Sequence, residues 1–289
     1  MIVHIKKIIG SVNRGQYAIG AFNTYNLEST IAILRAAEAA KSPAIIQISE
    51  ATVKYAGLET IFAIIEKVAK AELKKVPVAI HLDHGKDLKL ISECIKVGLS
   101  SVHMDASALP FEENIATTKK AVQMGHAKGV WVQGELGCLF GKEGMSKADL
   151  PKDRTAFMTD PSKASEFVKR TGIDTLAVAV GTIHGFFEGE EKIDFGRLSQ
   201  IVKNVRLPLV LHGGSGVSDV QIKKAVAGGV GIINIDTELR MAFTETLRQT
   251  LKKEKEFYDP RKLLLPSIDA VSQKAQAKMA MFGSAGKIK

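Results

Sequence analysis

Along 289 residues, short apolar runs alternate with stretches of helical periodicity, and polar side chains gather where the apolar runs end. No GxGxxG follows the first run, which counts against an open doubly wound sheet, the nearest alternative. Together these observations predict an α/β protein, a (β/α)8 TIM barrel with a C-terminal helical extension.

In chain order, residues 17–22 and 44–49 are apolar, strand-like runs, and residues 28–41 and 58–74 follow them with helical spacing of apolar positions. Val76-Pro77-Val78-Ala79-Ile80 opens a buried strand over 78–82, with a helix at 88–97. Strands at 101–104 and 131–135 precede helices at 112–128 and 162–171. Strands at 175–180, 209–211 and 231–234 precede helices at 195–204, 219–228 and 237–253. Two stretches break this rhythm. Residues 137–161 are too long for an ordinary βα connection and carry three glycines, as suits an active-site loop. Residues 254–289 form the extension, with a helix expected over 267–281. No second domain or internal repeat is visible, so one domain is expected over 1–289.

Composition removes several function classes. A hydrophobic share of 45% supplies ample core, against general disorder. No apolar run approaches the roughly 20 residues that cross a bilayer, so no membrane partner is expected. The N-terminus lacks the charged-then-apolar order of a secretory signal. With only two cysteines, Cys94 and Cys138, a disulfide framework is not expected and a cytoplasmic setting is. The net charge of +9 calls for an anionic partner. Its lysines and arginines are spread along the chain without an aromatic platform, so a phosphorylated small molecule is expected and nucleic acid is not.

In this fold the chemistry sits at the carboxyl ends of the strands. Here those ends carry Asn23, Ser49, Asp83 with His84, Asp105, Glu135, His184, His212, and Asn234 with Asp236 and Thr237. Of seven histidines, His84, His184 and His212 fall just beyond strands three, six and seven. Three imidazoles at one barrel mouth form a three-ligand metal site with an open position, the arrangement of catalytic zinc. His81 lies deeper on the same strand and is expected to orient its neighbours. His103 and His126 read as structural, and His4 as a surface residue. His212-Gly213-Gly214-Ser215-Gly216 is a phosphate-cradling loop, placed where barrels often bind phosphate. Asp83 and Glu143 are the carboxylates suited to proton transfer. No strand end offers an inward lysine, which counts against Schiff-base chemistry. A metal-dependent hydrolase stays open as an alternative.

At these residues the chain resembles the class II, metal-dependent fructose-bisphosphate aldolases, in the subgroup shared with tagatose-bisphosphate aldolase. The motifs are His81-Leu82-Asp83-His84-Gly85, Glu135-Leu136-Gly137, Gly181-Thr182-Ile183-His184-Gly185, the 212–216 loop and Asn234-Ile235-Asp236-Thr237, with Asp259-Pro260-Arg261-Lys262 on the tail. The resemblance implies reversible cleavage of fructose 1,6-bisphosphate to dihydroxyacetone phosphate and glyceraldehyde 3-phosphate through a zinc-stabilised enediolate. It implies one catalytic Zn2+ on His84, His184 and His212, with Asp105 and Glu135 at a second or alternative metal position. Asp83 would act on the C4 hydroxyl and Glu143 would exchange the proton on dihydroxyacetone phosphate. Gly185, Gly213, Ser215, Asn234, Asp236 and Thr237 would hold that substrate and its phosphate, beside a monovalent cation (Na+ or K+). Asn23 and Ser49 would make further substrate contacts, and Arg261 would take the distal phosphate across a dimer interface. A homodimer or homotetramer is expected. The loop departs from the family's Gly-Gly-x-Glu-Asp, reading Phe140-Gly141-Lys142-Glu143-Gly144. Asp236 matches the fructose-type enzymes, whereas tagatose-type enzymes have a small residue there.

Overall fold

The computed structural model describes residues 1–10, 16–138, 155–183 and 192–288. Eight parallel strands close into a barrel in sequence order: β1 (Ile19–Asn23), β2 (Ala44–Ser49), β3 (Val78–Gly85), β4 (Ser101–Met104), β5 (Trp131–Leu136), β6 (Thr175–Val178), β7 (Leu209–Leu211) and β8 (Val230–Ile235). Closure is made by β1 pairing with β8, with Ile19 opposite Ile232 and Ala21 opposite Asn234. The strands are nearly continuous apolar runs because helices cover the outside while packed side chains fill the inside.

Among the described residues the α-helices are α1 (Ile5–Ile9), α2 (Leu27–Ala40), α3 (Glu50–Ala56), α4 (Leu58–Glu72), α5 (Leu88–Val97), α6 (Phe111–His126), α7 (Pro161–Thr171), α8 (Phe195–Asn204), α9 (Asp219–Ala227), α10 (Thr237–Lys253) and α11 (Pro260–Met281). Most ends carry local signals. Asn26 forms a reciprocal capping box with Ser29 on α2, and Asp160 caps α7 ahead of Pro161.

Two hydrophobic clusters follow from the period-two strands. Phe22, Ile46, Leu82, Val102 and Val132 face outward against the helices. Ile19, Ala21, Ile45, Ala79, Ala177, Val210 and Ile232 face inward, and α1 joins them through Ile5, Ile8 and Ile9. Two residues beyond Ile45 and Ala79 the interior turns polar at Gln47 and His81, and Ser101 and Gln133 are buried with them. Above that layer lie Asn23, Asp83, His103, Glu135 and Asn234.

Some boundaries differ from the sequence reading. β3 runs three residues beyond 82 because a bulge carries it on to Gly85, and β6 stops at Val178 rather than 180. α1 and α3 were not anticipated; α3 starts because Ser49 accepts from the Thr52 N–H, and it ends at Gly57, φ 80. The final helix begins at Pro260, not 267. Asp259 caps it through the Arg261 N–H and proline fits its first position, while Pro266 inside the helix masks its continuity. α11 packs on α2 and α10. Buried Lys278 holds Glu238 at 2.5 Å, and the Ser267 hydroxyl donates to the Phe243 carbonyl at 3.0 Å. No described helix is long and apolar enough to cross a membrane.

Candidate metal centre at the barrel mouth

In a regular strand Asp83 and His84 would point to opposite faces. The register of β3 against β4 shifts between Leu82 and Gly85, and His84 takes φ 51, a left-handed conformation that histidine enters more readily than most residues. The bulge turns both side chains into the mouth, with His84 Nε2 3.8 Å from Asp83 Oδ1. Gly85 completes it: a Cβ there would sit 2.9 Å from the His103 carbonyl oxygen.

Donor atoms of Asp83, His84, His103 and His212 lie within 4.8 Å of one another, as do those of His84, His103, Asp105 and Glu135. His84 Nε2 and His212 Nδ1 are 2.8 Å apart. His84 Nδ1 donates to Asp105 Oδ2 at 2.8 Å and stands 3.8 Å from Glu135 Oε2. Burial opposes the His84 imidazolium, yet Asp83, Asp105 and Glu135 outweigh it and raise the pKa to about 10. Burial likewise opposes ionisation of Asp83, but His84 and the Asn23 N–H bond hold its carboxyl below the usual range. Asp105 is lowered in the same way by its bond to His84. A half-buried imidazole that draws a proton so strongly, facing three carboxylates, is a cation site by its charge pattern. Mixed nitrogen and oxygen donors of this kind fit a divalent transition ion, zinc among them.

His103 lies in both donor groups, although the sequence reading treated it as structural. Its Nδ1 accepts the His84 backbone N–H at 3.2 Å, and burial lowers its pKa to about 3, so the ring is neutral with its proton on Nε2. That N–H faces Glu135 Oε2 at 3.4 Å. His103 thus sits within both donor groups while its ring packs against the His84 backbone and Glu135. The signal available in sequence was its period-two spacing from Asp105. His81 is buried with Nδ1 2.8 Å from the Ser101 hydroxyl, beneath the cluster. His126 pairs with Asp174 at 2.9 Å, and His4 caps α1.

A cavity of about 690 Å3 opens over this cluster, lined by Asn23, Ser49, Asp83, His84, Asp105, Glu135, His212, Gly213, Ser215, Asn234, Asp236 and Thr237. Twelve of the residues singled out in sequence are thus brought to one place. Asn23 donates to Asp83 Oδ2 at 2.9 Å and Asn234 to Oδ1 at 3.3 Å. Gly213 has φ 66, and a Cβ would lie 2.4 Å from the Ile183 carbonyl oxygen, so the loop requires glycine. Ser215 Oγ accepts the Glu238 N–H at 3.5 Å at the start of α10. Arg240 grips the Asp236 carboxylate with two N–H groups, one at 2.8 Å. Lys86 and Cys138 also line the cavity and were not anticipated. Arg261 stands apart, exposed and paired with Asp259 at 2.9 Å. His184, Gly185, Glu143 and the segment Phe140–Gly144 lie outside the described residues.

Fold and site together define a metal-dependent barrel enzyme, with its donors at the carboxyl ends of the strands. A family model described as fructose-bisphosphate aldolase class-II matches residues 3–287. A fructose-bisphosphate aldolase of Geobacillus stearothermophilus is 42% identical over 287 residues, covering 99% of this chain and 98% of that protein. One of Staphylococcus aureus is 40% identical over 289 residues, covering 100% and 99%. Among solved structures, the YdjI aldolase from Escherichia coli K12 has a TM-score of 0.85 at 35% identity, with both chains fully covered. The fructose-bisphosphate aldolase of Campylobacter jejuni has 0.84 at 25%, covering 99% and 97%. The chain belongs to the class-II fructose-bisphosphate aldolase family, and is thereby a metal-dependent aldolase, a carbon–carbon lyase.

Proposed function

We propose that the protein cleaves fructose 1,6-bisphosphate reversibly to dihydroxyacetone phosphate and glyceraldehyde 3-phosphate, as a step of glycolysis and gluconeogenesis in the cytoplasm. The observation that carries this reading is the position of Asp83, ionised and held by two carboxamides, 3.8 Å from a histidine of the donor cluster. His84 and His212, with His184, hold one zinc ion in this proposal, and Asp105 and Glu135 support it or take a second metal position. Zinc bound there supplies Lewis acidity toward the ketone, where negative charge develops as the C3–C4 bond breaks.

Asp83 takes the proton of the C4 hydroxyl during cleavage and returns it during condensation. Its lowered pKa keeps it a base at neutral pH, and Asn23 and Asn234 fix both oxygens so that little reorganisation accompanies the transfer. Glu143 exchanges the proton on dihydroxyacetone phosphate. Gly213, Ser215 and Thr237, with Gly185, receive the phosphate of that product through backbone N–H groups and hydroxyls at the start of α10. Asn234 and Asp236 contact its hydroxyls, beside a Na+ or K+ ion, and Ser49 lines the opposite wall. Arg261 lies away from the cavity of its own chain, which suits a distal-phosphate role toward a neighbouring copy in a homodimer or homotetramer.

The test is cleavage of fructose 1,6-bisphosphate before and after chelation, with zinc added back and tagatose 1,6-bisphosphate run beside it. Loss on chelation and recovery with zinc are expected, with fructose bisphosphate preferred. Cleavage that survives chelation and is trapped by borohydride would sink the zinc mechanism. A preference for the tagatose sugar, which differs only at C4, would reassign the substrate.

A further inference from the structure

Gln133 lies on β5 two residues before Glu135, buried inside the barrel beneath the donor cluster. Its carboxamide nitrogen is 3.2 Å from His212 Nε2. The other nitrogen of that ring, Nδ1, is the one turned to His84. An imidazole that offers Nδ1 to a cation as a lone pair carries its hydrogen on Nε2, and that N–H needs an acceptor.

Among the described residues, two carboxamides face His212 Nε2, Gln133 at 3.2 Å and Asn234 at 3.5 Å. Their freedom to turn differs. The Asn234 nitrogen is also 3.3 Å from Asp83 Oδ1, and a carboxylate only accepts, so turning Asn234 would set oxygen against oxygen. Gln133 has no such constraint. At its other end lies the Thr175 hydroxyl, 3.5 Å from Oε1, and a hydroxyl donates or accepts with equal ease. Oxygen and nitrogen of the Gln133 carboxamide therefore exchange places without losing either partner.

We propose that Gln133 is the positioning residue of the metal centre, accepting the His212 Nε2–H through Oε1 and so presenting Nδ1 to the metal. This rests on the metal-dependent reading of the site. A neutral amide performs the task without adding a further buried carboxylate beneath Glu135. The partner of a metal-bound histidine is commonly a carboxylate or a carbonyl, and its loss typically weakens metal binding about 10–100-fold. The amide leaves the ring less basic than a carboxylate would, and the bound ion correspondingly more electrophilic.

The experiment measures zinc and cobalt(II) affinity by chelator competition on the full-length protein and on the Gln133→Leu and Gln133→Glu variants. Histidine-labelled zinc-loaded samples report the His212 ring N–H by NMR. Gln133→Leu is expected to weaken both metals about 10–100-fold and to expose the Nε2–H to solvent exchange. Gln133→Glu, which keeps an acceptor, should bind at least as tightly as the unaltered protein and shift the N–H signal downfield. Leucine binding within twofold of the unaltered protein would overturn the role of Gln133. Glutamate falling together with leucine would do so too, since shape and not acceptance would then matter. Where the leucine variant fails to fold, a glutamate variant that binds metal more weakly than the unaltered protein overturns the proposal, and one that binds at least as tightly supports it. An unaltered protein that takes up neither metal would overturn the metal-dependent reading itself, a result separable from the other two.

Discussion

Asn23, at the end of β1, donates its side-chain N–H to Asp83 Oδ2 on β3 at 2.9 Å, inside the barrel and away from bulk water. A hydrogen bond to the charged form favours ionisation, and this one helps to hold the Asp83 carboxyl low. Asn23→Leu removes the donor, so the Asp83 pKa rises and the acidic limb of the kcat/KM profile moves to higher pH. Asp83→Ala should lower turnover by about 10²–10⁴-fold, the usual contribution of a positioned acid–base group, with zinc retained. A pH–rate series on the three proteins checks both. Near-normal turnover in Asp83→Ala would show that another group moves the proton.

Loss of a ligand and loss of an orienting neighbour should look different. His212→Ala is expected to lose metal at concentrations that saturate the unaltered protein. His103→Gln should keep it, because the His103 lone pair is already taken by the His84 N–H and its other nitrogen faces Glu135. Metal content after dialysis, read beside a thermal melt, separates the two. Equal metal loss in both variants would make His103 a ligand after all.

The contrast between these histidines shows what was legible in the sequence. Asp83, His84 and His212 could be placed at strand ends because each follows an apolar run, and the barrel then brings those ends together. The bulge that turns Asp83 and His84 to the same side was not visible, since nothing in five residues announces a register shift seen only against β4. His103 was read as packing, and it is fully buried, but its direction depends on pairing with β5. Gln133, a lone glutamine on a strand, carries no signal until His212, 79 positions later, is laid beside it. The starts of α3 and α11 are local matters of capping, carried by Ser49 and by Asp259-Pro260.

Glu143 is expected to act after the carbon–carbon bond has broken. Glu143→Ala should slow hydrogen exchange between dihydroxyacetone phosphate and solvent by at least tenfold while changing the affinity for that compound less. Isotope exchange on the product alone, without the aldehyde, isolates this step. Unchanged exchange would hand the role to another group.

The metal-free protein should lose stability on both sides of neutrality, for opposite reasons. Burial lowers His81 to about 4 and His103 to about 3, against about 6.5 in an unfolded chain. Below pH ~6.5 the unfolded chain binds protons that the folded interior refuses, so the stability these residues contribute is present above that pH and falls away as pH drops. For His81 alone the loss approaches about 3 kcal/mol once pH reaches its folded value. His84 works in reverse. Raised to about 10 against burial by Asp83, Asp105 and Glu135, it stabilises fully below pH ~6.5 and loses that contribution as pH rises through 10. Asp83 and Asp105, both lowered, add to the acid side only near and below the ordinary carboxylate range, so the window between pH ~6.5 and 4 belongs to the histidines. Urea melts of chelated protein across pH 4–10 should therefore give a dome, and His81→Gln should flatten its acid side while leaving the alkaline side in place. An unchanged acid side in that variant would mean that His81 takes up its proton while folded.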